Sequence, residues 1–281
     1  MPSTDPMYIP NQYDQYPGDI RNATVTFVNR DASNAVLCVA SVGLVSSSDT
    51  TVGTATCTST PLTASSTAGG SQYTIGIIVG GFYTRNMSVD DQVINVYIPL
   101  SNFITGGGYL VNSSSSGLYP GASGQRTNFG FNVKYNKSGT NLQGNINVIV
   151  RNNGRVYQIK GNSMTSLVVN YCPLPGEPGY QISGCNTPVS PCTGNASATC
   201  PIAATFNGKA SIQDITDPVN PISIDGNATL QVTMTDYGSP GSFDKIAITV
   251  WNKSGGMWFS SNWNTTRTIE QLLDGGDLSV H

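Results

Sequence analysis

The sequence predicts an all-β chain of two tandem β-sandwich domains, and three observations carry that expectation. Short apolar/polar alternations recur between turn-forming clusters almost from end to end, the period-two signature of half-buried strands. The 281 residues include 31 Ser, 29 Thr, 26 Asn and 31 Gly, a composition of extended, uncharged, hydrogen-bonding surface. Proton-transfer chemistry is scarce: the one histidine is His281, and the glutamates are Glu177 and Glu270. Enzymes usually need a group titrating near neutral pH, or a nucleophile beside a base.

Residues 1–18 hold four Pro and three Tyr without alternation, which reads as an extended arm or linker. Such an arm is also suited to docking as an added strand on a neighbouring module. From Asp19 to about residue 101 the text is strand-like. In Asn22–Val28, Ala23, Val25 and Phe27 share one face, with Thr24 and Thr26 on the other. Asn34–Ser41, Gln72–Val79 and Gln92–Ile98 repeat the style between Ser/Thr/Gly clusters. Around six short strands in roughly 80 residues fit a small immunoglobulin-like sandwich.

The second domain, residues 102–281, opens with Phe103–Val111, whose run Gly106-Gly107-Gly108 predicts a bulge or sharp bend. Phe129, Phe131, Val133 and Tyr135 form the cleanest amphipathic strand, and Ile146, Val148 and Val150 continue on one face. Asn153-Gly154 marks a hairpin turn, because both positions accept positive φ. Val156–Lys160, Ser166–Tyr171, Ile202–Ile215, Leu230–Thr235, Phe243–Trp251 and Met257–Ser261 read as strands. Thr268–Leu273 is the one segment that reads as a helical turn.

Six cysteines fall into two groups. Cys38 and Cys57 are expected to cross-link the first domain. Cys172, Cys185, Cys192 and Cys200 crowd a proline-rich insertion at 172–200, where four cysteines allow three pairings. Cys172–Cys200 with Cys185–Cys192 nested inside is the expected one. No CxxC spacing or internal histidine supports a zinc site. Disulfides imply an oxidising, extracellular compartment.

Charged residues make up 10% of the chain, against about 25% in average soluble proteins. The net charge of −3, the pI near 4.9 and the scattered Lys and Arg argue against nucleic acid and against an anionic membrane surface. No apolar run of about 18 residues offers a membrane span. The N-terminus lacks the pattern of a signal peptide, so a fragment or mature form is expected.

Several segments resemble the post-COAP-type β domain of modular bacterial surface and secreted proteins. They are ITGGGYL (104–110), NFGFNVKYNKSGTNLQGNINVIV (128–150) and the tail containing DKIAITVW and FSSNWNTTRTIEQLLDGG. The resemblance covers roughly 103–281. DIRNATVTFVNR (19–30) and YTIGIIVGGFYTRN (73–86) resemble the immunoglobulin-like repeat that commonly precedes that domain. The insertion at 172–200 departs from its shorter versions. The resemblance implies extracellular placement and a non-enzymatic role, with no catalytic residues to transfer.

Other constellations bear on function. Trp251, Trp258 and Trp263 lie close in sequence. Ile246, Ile248 and Val250 form the expected core face of their strand, which leaves Trp251 with Ala247 and Thr249. All three tryptophans are candidate glycan-binding residues, Trp251 and Trp258 foremost: on an exposed sheet face they would stack on sugar rings, although large aromatics more often fill cores. Asp236 and Asp244, with Asp214 and Asp217, place carboxylates on loops where calcium would find oxygen ligands, and Asp90-Asp91 is a weaker pair. Aspartate is equally a normal turn residue. Eight Asn-x-Ser/Thr sequons, at Asn22, Asn86, Asn112, Asn136, Asn195, Asn227, Asn252 and Asn264, slightly exceed the roughly five or six expected by chance. Ser113–Ser116 reads as a flexible loop able to carry O-linked sugar. Lys134 and Lys245 are placed for an intramolecular isopeptide bond.

The expected function is a non-enzymatic structural or adhesive module of a bacterial surface or filament-forming protein. Its expected partners are neighbouring copies or domains, joined by strand addition of the arm. A carbohydrate-binding module, or an accessory domain of a secreted hydrolase, is the alternative.

Overall fold

The structure is a computed structural model that describes residues 18–57, 62–64, 70–97, 103–136, 138–170, 201–238, 241 and 243–280. Cys172, Cys185, Cys192, Cys200, the sequon at Asn195 and all but the last residue of the N-terminal arm lie outside the described residues. The fold is all-β, the helical content among the described residues being three short 3-10 turns at Ile20–Asn22, Arg30–Ala32 and Ser88–Asp90. It divides into two compact units, residues 1–62 with 73–92, and 63–72 with 93–281. The sequence places its single boundary near residue 101.

The first unit is built on β1 (Ala23–Asn29), β2 (Ala35–Ser41), the hairpin of β3 (Gly43–Ser46) with β4 (Asp49–Thr54), β5 (Gly70–Gly81) and β6 (Arg85–Asn86). The strand order is β2-β1-β5-β6, and β7 (Gln92–Tyr97) also pairs with β5. β1 and β5 run antiparallel in unbroken register from Ala23 opposite Gly81 to Asn29 opposite Ile75. A register shift between Phe27 and Val28 leaves Leu37 of β2 as the extra residue of a bulge. Among the described residues the buried apolar side chains are few here: Ala23, Val28 and Ile75. A small core asks for other fasteners. The expected Cys38–Cys57 disulfide is present, with Cα atoms 6.1 Å apart. In the chain-entropy account a loop of this length contributes about 3 kcal/mol. The Arg30 guanidinium donates to the Asp91 carboxylate through Nη2 at 3.0 Å and Nε at 3.1 Å, with side chains only 7% and 1% exposed. Asp31 accepts from the Thr74 amide at 2.8 Å.

The second unit is one long antiparallel ladder. Its strands are β8 (Phe103–Val111), β9 (Arg126–Tyr135), β10 (Leu142–Asn152), β11 (Arg155–Asn170), β12 (Ile202–Asp214), β13 (Ile222–Asp236), β14 (Lys245–Trp251), β15 (Met257–Ser260), β16 (Gln271–Leu272) and β17 (Gly275–Val280). They follow the order β15-β14-β13-β12-β11-β10-β9-β8-β17, with β16 on β14. The strands belong to one continuous hydrogen-bonded sheet that curls around a shared core.

Two sets of backbone bonds return the ladder on itself. After β8 the chain reaches β15: Ser116 and Ser260 exchange bonds of 3.1 and 2.8 Å, and Tyr119 N–H donates to Trp258 at 2.8 Å. β16 then pairs with β14 and leads directly into β17, which pairs with β8. Inward residues alternate as strand geometry demands. Phe129, Phe131 and Val133 meet Ile146, Val148 and Val150, then Phe206 and Ile212, Leu230 and Val232, and Ile246, Ile248 and Val250. Segment 63–72 and β7 join this unit through Gln72, which donates to Asn95 and Asn132, and through Asn95, which donates to Thr105 at 2.6 Å.

Four local expectations meet a correction or a confirmation. Asn153 and Gly154 have φ of 47° and 90° and form the two-residue hairpin turn as read. Val156–Lys160 and residues 166–170 of the second expected strand are parts of one strand, β11, with register shifts after Gly161 and Met164, while Tyr171 lies outside the described residues. Thr268–Leu273 is not helical: Thr268 bridges to Trp263, and Gln271–Leu272 pairs with β14.

Gly106-Gly107-Gly108 makes no bulge either, since β8 keeps unbroken register with both β9 and β17. The glycines serve close approach. A Cβ on Gly106 would stand 2.7 Å from the Phe131 ring, and one on Gly108 would stand 2.2 Å from the Gly275 carbonyl oxygen. At Gly107 the nearest atom would be 3.5 Å away. Gly108→Ala is therefore expected to cost about 3 kcal/mol or to abolish folding, and Gly107→Ala less than about 1 kcal/mol. Urea unfolding of the two variants checks this; equal effects would contradict the backbone-approach account.

Candidate functional site

A groove of about 480 Å³ lies on the outer face of β13 and β14. Its floor follows from strand alternation. Leu230, Val232 and Met234, like Ile246, Ile248 and Val250, are fully buried on the inner face. Gln231 and Thr233 on β13, and Lys245, Ala247, Thr249 and Trp251 on β14, consequently line the outer one. The placement of Trp251 with Ala247 and Thr249 is as the sequence predicts.

The segment from Trp263 to Glu270 folds over this face and makes the wall. It is pinned where Thr249 Oγ1 donates to Thr268 Oγ1 at 2.7 Å, where Ser260 and Thr268 hydroxyls lie 2.8 Å apart, and where Trp263 N–H donates to the Ser114 carbonyl at 2.7 Å. At its tip the Asn264 side-chain oxygen accepts from the amides of Thr266 at 3.1 Å and Arg267 at 2.9 Å. Thr265 is held at φ 79°, an unusual conformation for a β-branched residue.

The groove presents two indoles (Trp251, Trp263), a phenol (Tyr237), two cations (Lys245, Arg267) and the carboxyl of Glu270. The Lys245 ammonium lies 5.3 Å from the Tyr237 ring centre and 3.5 Å from its hydroxyl. Glu270 Oε2 accepts from Thr235 Oγ1 at 2.7 Å, whereas its Oε1 is buried without a hydrogen-bond partner. Burial pushes the Glu270 carboxyl up to about 7, against the opposing pull of Thr235, the Lys245 charge and Thr233. It is the single carboxyl among the described lining residues, and the groove combines stacking faces with hydrogen-bonding groups.

The other sequence-singled residues are dispersed. Trp258 is separated from Trp251: its ring packs against the core and 5.3 Å from Tyr119, and its Nε1–H donates to Asp225 at 2.8 Å. A register shift between Val250 and Trp251 sets Met257, not Trp258, opposite Trp251. The indole that accompanies Trp251 is Trp263.

Asp236 and Asp244 are buried, with their oxygens taken by backbone amides. Asp244 accepts from Tyr237 at 2.9 Å and Leu278 at 2.8 Å; Asp236 accepts from Gly238 at 2.6 Å and Val280 at 2.8 Å. Burial raises Asp244 to about 6 despite those amides. Among the described residues no group of three or more His, Cys, Asp or Glu is disposed to hold a metal ion. Asp214 pairs with Arg155 at 2.8 Å, Asp217 accepts from the Val219 amide at 2.9 Å, Asp90 pairs with Arg85 at 2.6 Å, and Asp91 pairs with Arg30.

Ser113–Ser116 is no free loop, because Ser115 Oγ donates to the Ser260 carbonyl at 2.7 Å beside the Ser116 bridge. Among the sequons, Asn22, Asn86, Asn227 and Asn264 are exposed, and Asn136 and Asn252 are half-buried. Asn112 is buried and accepts from Thr127 at 2.8 Å, so a glycan there is incompatible with the fold. Lys134 is buried in β9, and Lys245 stands in the groove.

Sequence reasoning missed Glu270, Tyr237, Arg267, Gln231 and Thr233. The scarcity of glutamate was a signal pointing away from chemistry, and nothing local marks Glu270 as lying under Thr235. No helix among the described residues is long and apolar enough to cross a membrane. Comparison with known proteins finds no matching family model, curated protein or solved structure.

The groove generates a pH prediction. The folded-state carboxyl of Glu270 sits near 7, above its ordinary value of 4.5. The folded protein therefore holds a proton that the unfolded chain has released, and stability is lost as pH rises from about 4.5 to about 7. Glu270→Gln removes this loss and keeps an acceptor for Thr235. The variant is expected to gain on the wild type by ~1–3 kcal/mol between pH 5 and pH 8. Melting curves across that range would refute the assignment if the gap stayed constant.

Proposed function

We propose that this chain is a non-enzymatic structural and adhesive module of an extracellular, bacterial surface or filament-forming protein. Neighbouring copies join by strand addition, with the N-terminal arm of one copy laid along β2 of the next. The observation that carries the reading is β2 itself. It is the last strand in the order of its sheet among the described residues, and Ala35–Ser41 contains no charge and no proline. Val36 and Val39 are 61% and 62% exposed. Natural edge strands are commonly blunted by lysine, proline or bulges; β2 carries the bulge at Leu37 and leaves Cys38–Ser41 as a regular stretch.

Three further observations support the reading. The Cys38–Cys57 disulfide suits an oxidising compartment. The resemblance to post-COAP-type domains suits a surface protein. Low charge weakens repulsion between identical copies.

Assembly of the full chain is expected to disappear in Val39→Lys and in a chain lacking residues 1–18, read by light scattering and negative-stain microscopy. Assembly that persists in both variants, or a wild-type chain that stays monomeric at high concentration, would sink the proposal.

A further inference from the structure

The groove over β13 and β14 belongs wholly to the second unit and plays no part in strand addition. Its composition is specific. A volume of about 480 Å³ falls inside the range of roughly 300–1,000 Å³ typical of small-ligand sites. Aromatic faces from Trp251, Trp263 and Tyr237 share it with short polar side chains on the floor strands.

We propose that this groove binds a neutral saccharide, its rings stacked on Trp251 and Trp263 and its hydroxyls held by Gln231, Thr233 and the Glu270 carboxyl.

Each part of that pairing has a physical reason. A pyranose ring has an apolar C–H face bordered by hydroxyls, so it matches an indole that ends in hydrogen-bonding groups. Vicinal hydroxyls both donate and accept, as do the Gln231 amide and the Thr233 hydroxyl. Glu270 Oε1 is buried with no partner. Leaving such an oxygen unsatisfied is costly, and a ligand hydroxyl supplies the missing donor.

The same atom argues against an acidic ligand. A carboxylate or phosphate would face the Glu270 charge above neutral pH and offers Oε1 fewer hydrogen-bond donors than the hydroxyls of a sugar ring. Lys245 is already engaged with the Tyr237 ring and hydroxyl. Arg267 stands exposed at the rim, where an ion pair adds little. A flat apolar partner would leave Gln231, Thr233 and Glu270 desolvated and unpaired.

The test uses the full chain and soluble cello-, malto-, xylo- and manno-oligosaccharides, with oligogalacturonate as the acidic probe. Titration followed by indole Nε1–H resonances should move the signals of Trp251 and Trp263 and leave that of Trp258 in place. Trp251→Ala and Trp263→Ala are each expected to weaken binding about 10-fold or more, with Trp258→Phe near wild type. The wild-type titration stands even where a variant fails to fold. The proposal is overturned if no neutral oligosaccharide shifts those two resonances, if only oligogalacturonate binds, or if affinity survives both folded alanine variants. Val39→Lys should retain the saccharide, so loss of assembly and loss of binding are separable outcomes.

Discussion

Backbone hydrogen bonding at the ends of a sheet is the constraint on which the second unit depends. Every strand carries donors and acceptors along both sides, and a buried side left unpaired is expensive. A long antiparallel ladder therefore has to finish in water, be covered, or return to itself. Here it returns. Ser116 and Tyr119 bond to β15, β16 bonds to β14, and β17 bonds to β8. The concave face is thereby sealed, and Phe129, Phe131, Phe206 and Phe259 are wholly removed from solvent. Each such side chain contributes about 1.5–3 kcal/mol of burial. Those contributions exist only while the ladder holds its curvature, so closure and core are one event energetically.

Closure also explains the carboxylates. β17 must lie against β8 and near the turn after β13, and the amides of Leu278, Val280 and Gly241 point at Asp244, Asp236 and Asp277. A charged acceptor strengthens such bonds about twofold over a neutral one. Burying the charge works against them, which is why Asp244 sits near 6 rather than below its ordinary range. These aspartates act as staples between chain segments far apart in sequence. Loop carboxylates read from sequence alone look like cation ligands, because the amides that occupy them belong to another strand.

That contrast marks what the sequence could and could not reveal. Alternation in Phe129–Val133 and Ile246–Val250 put the core residues on one face correctly, but the opposite face is covered as well, with Asn128, Asn132, Ala247 and Thr249 buried, and Tyr135 at the strand end is exposed. Asn153-Gly154 set its turn locally, and Cys38 found Cys57 nearby. Pairing across the ladder is non-local, so the Ser113–Ser116 run gave no sign that it would close the sheet, and Thr268–Leu273 read as a turn of helix. Gly106–Gly108 read as a bulge or sharp bend, whereas Gly108 serves the close approach of Gly275, more than 160 residues onward. The candidate groove was half legible: Trp251 was placed on the outer face, and its companion Trp263 was within sight. Glu270 was invisible because its environment is assembled by Thr235 and Lys245 from two other strands.

The groove follows from the same closure. A β-sheet has two faces, and alternation gives the inner one of β14 to Ile246, Ile248 and Val250 and the outer one to Lys245, Ala247, Thr249 and Trp251. A bare outer face would be flat and wet. The chain between β15 and β16 has to cross it to place β17 on β8, and in crossing it becomes a wall. Thr268, bonded to Thr249 and Ser260 at once, fixes that wall to the floor through two strands. Trp263 is held by its backbone to Ser114, the segment that seals the opposite end of the ladder. The backbone that carries the two indoles is thus fixed by bonds that the fold needs for its own stability. A ligand seated there would meet little ordering cost, because that backbone is set beforehand.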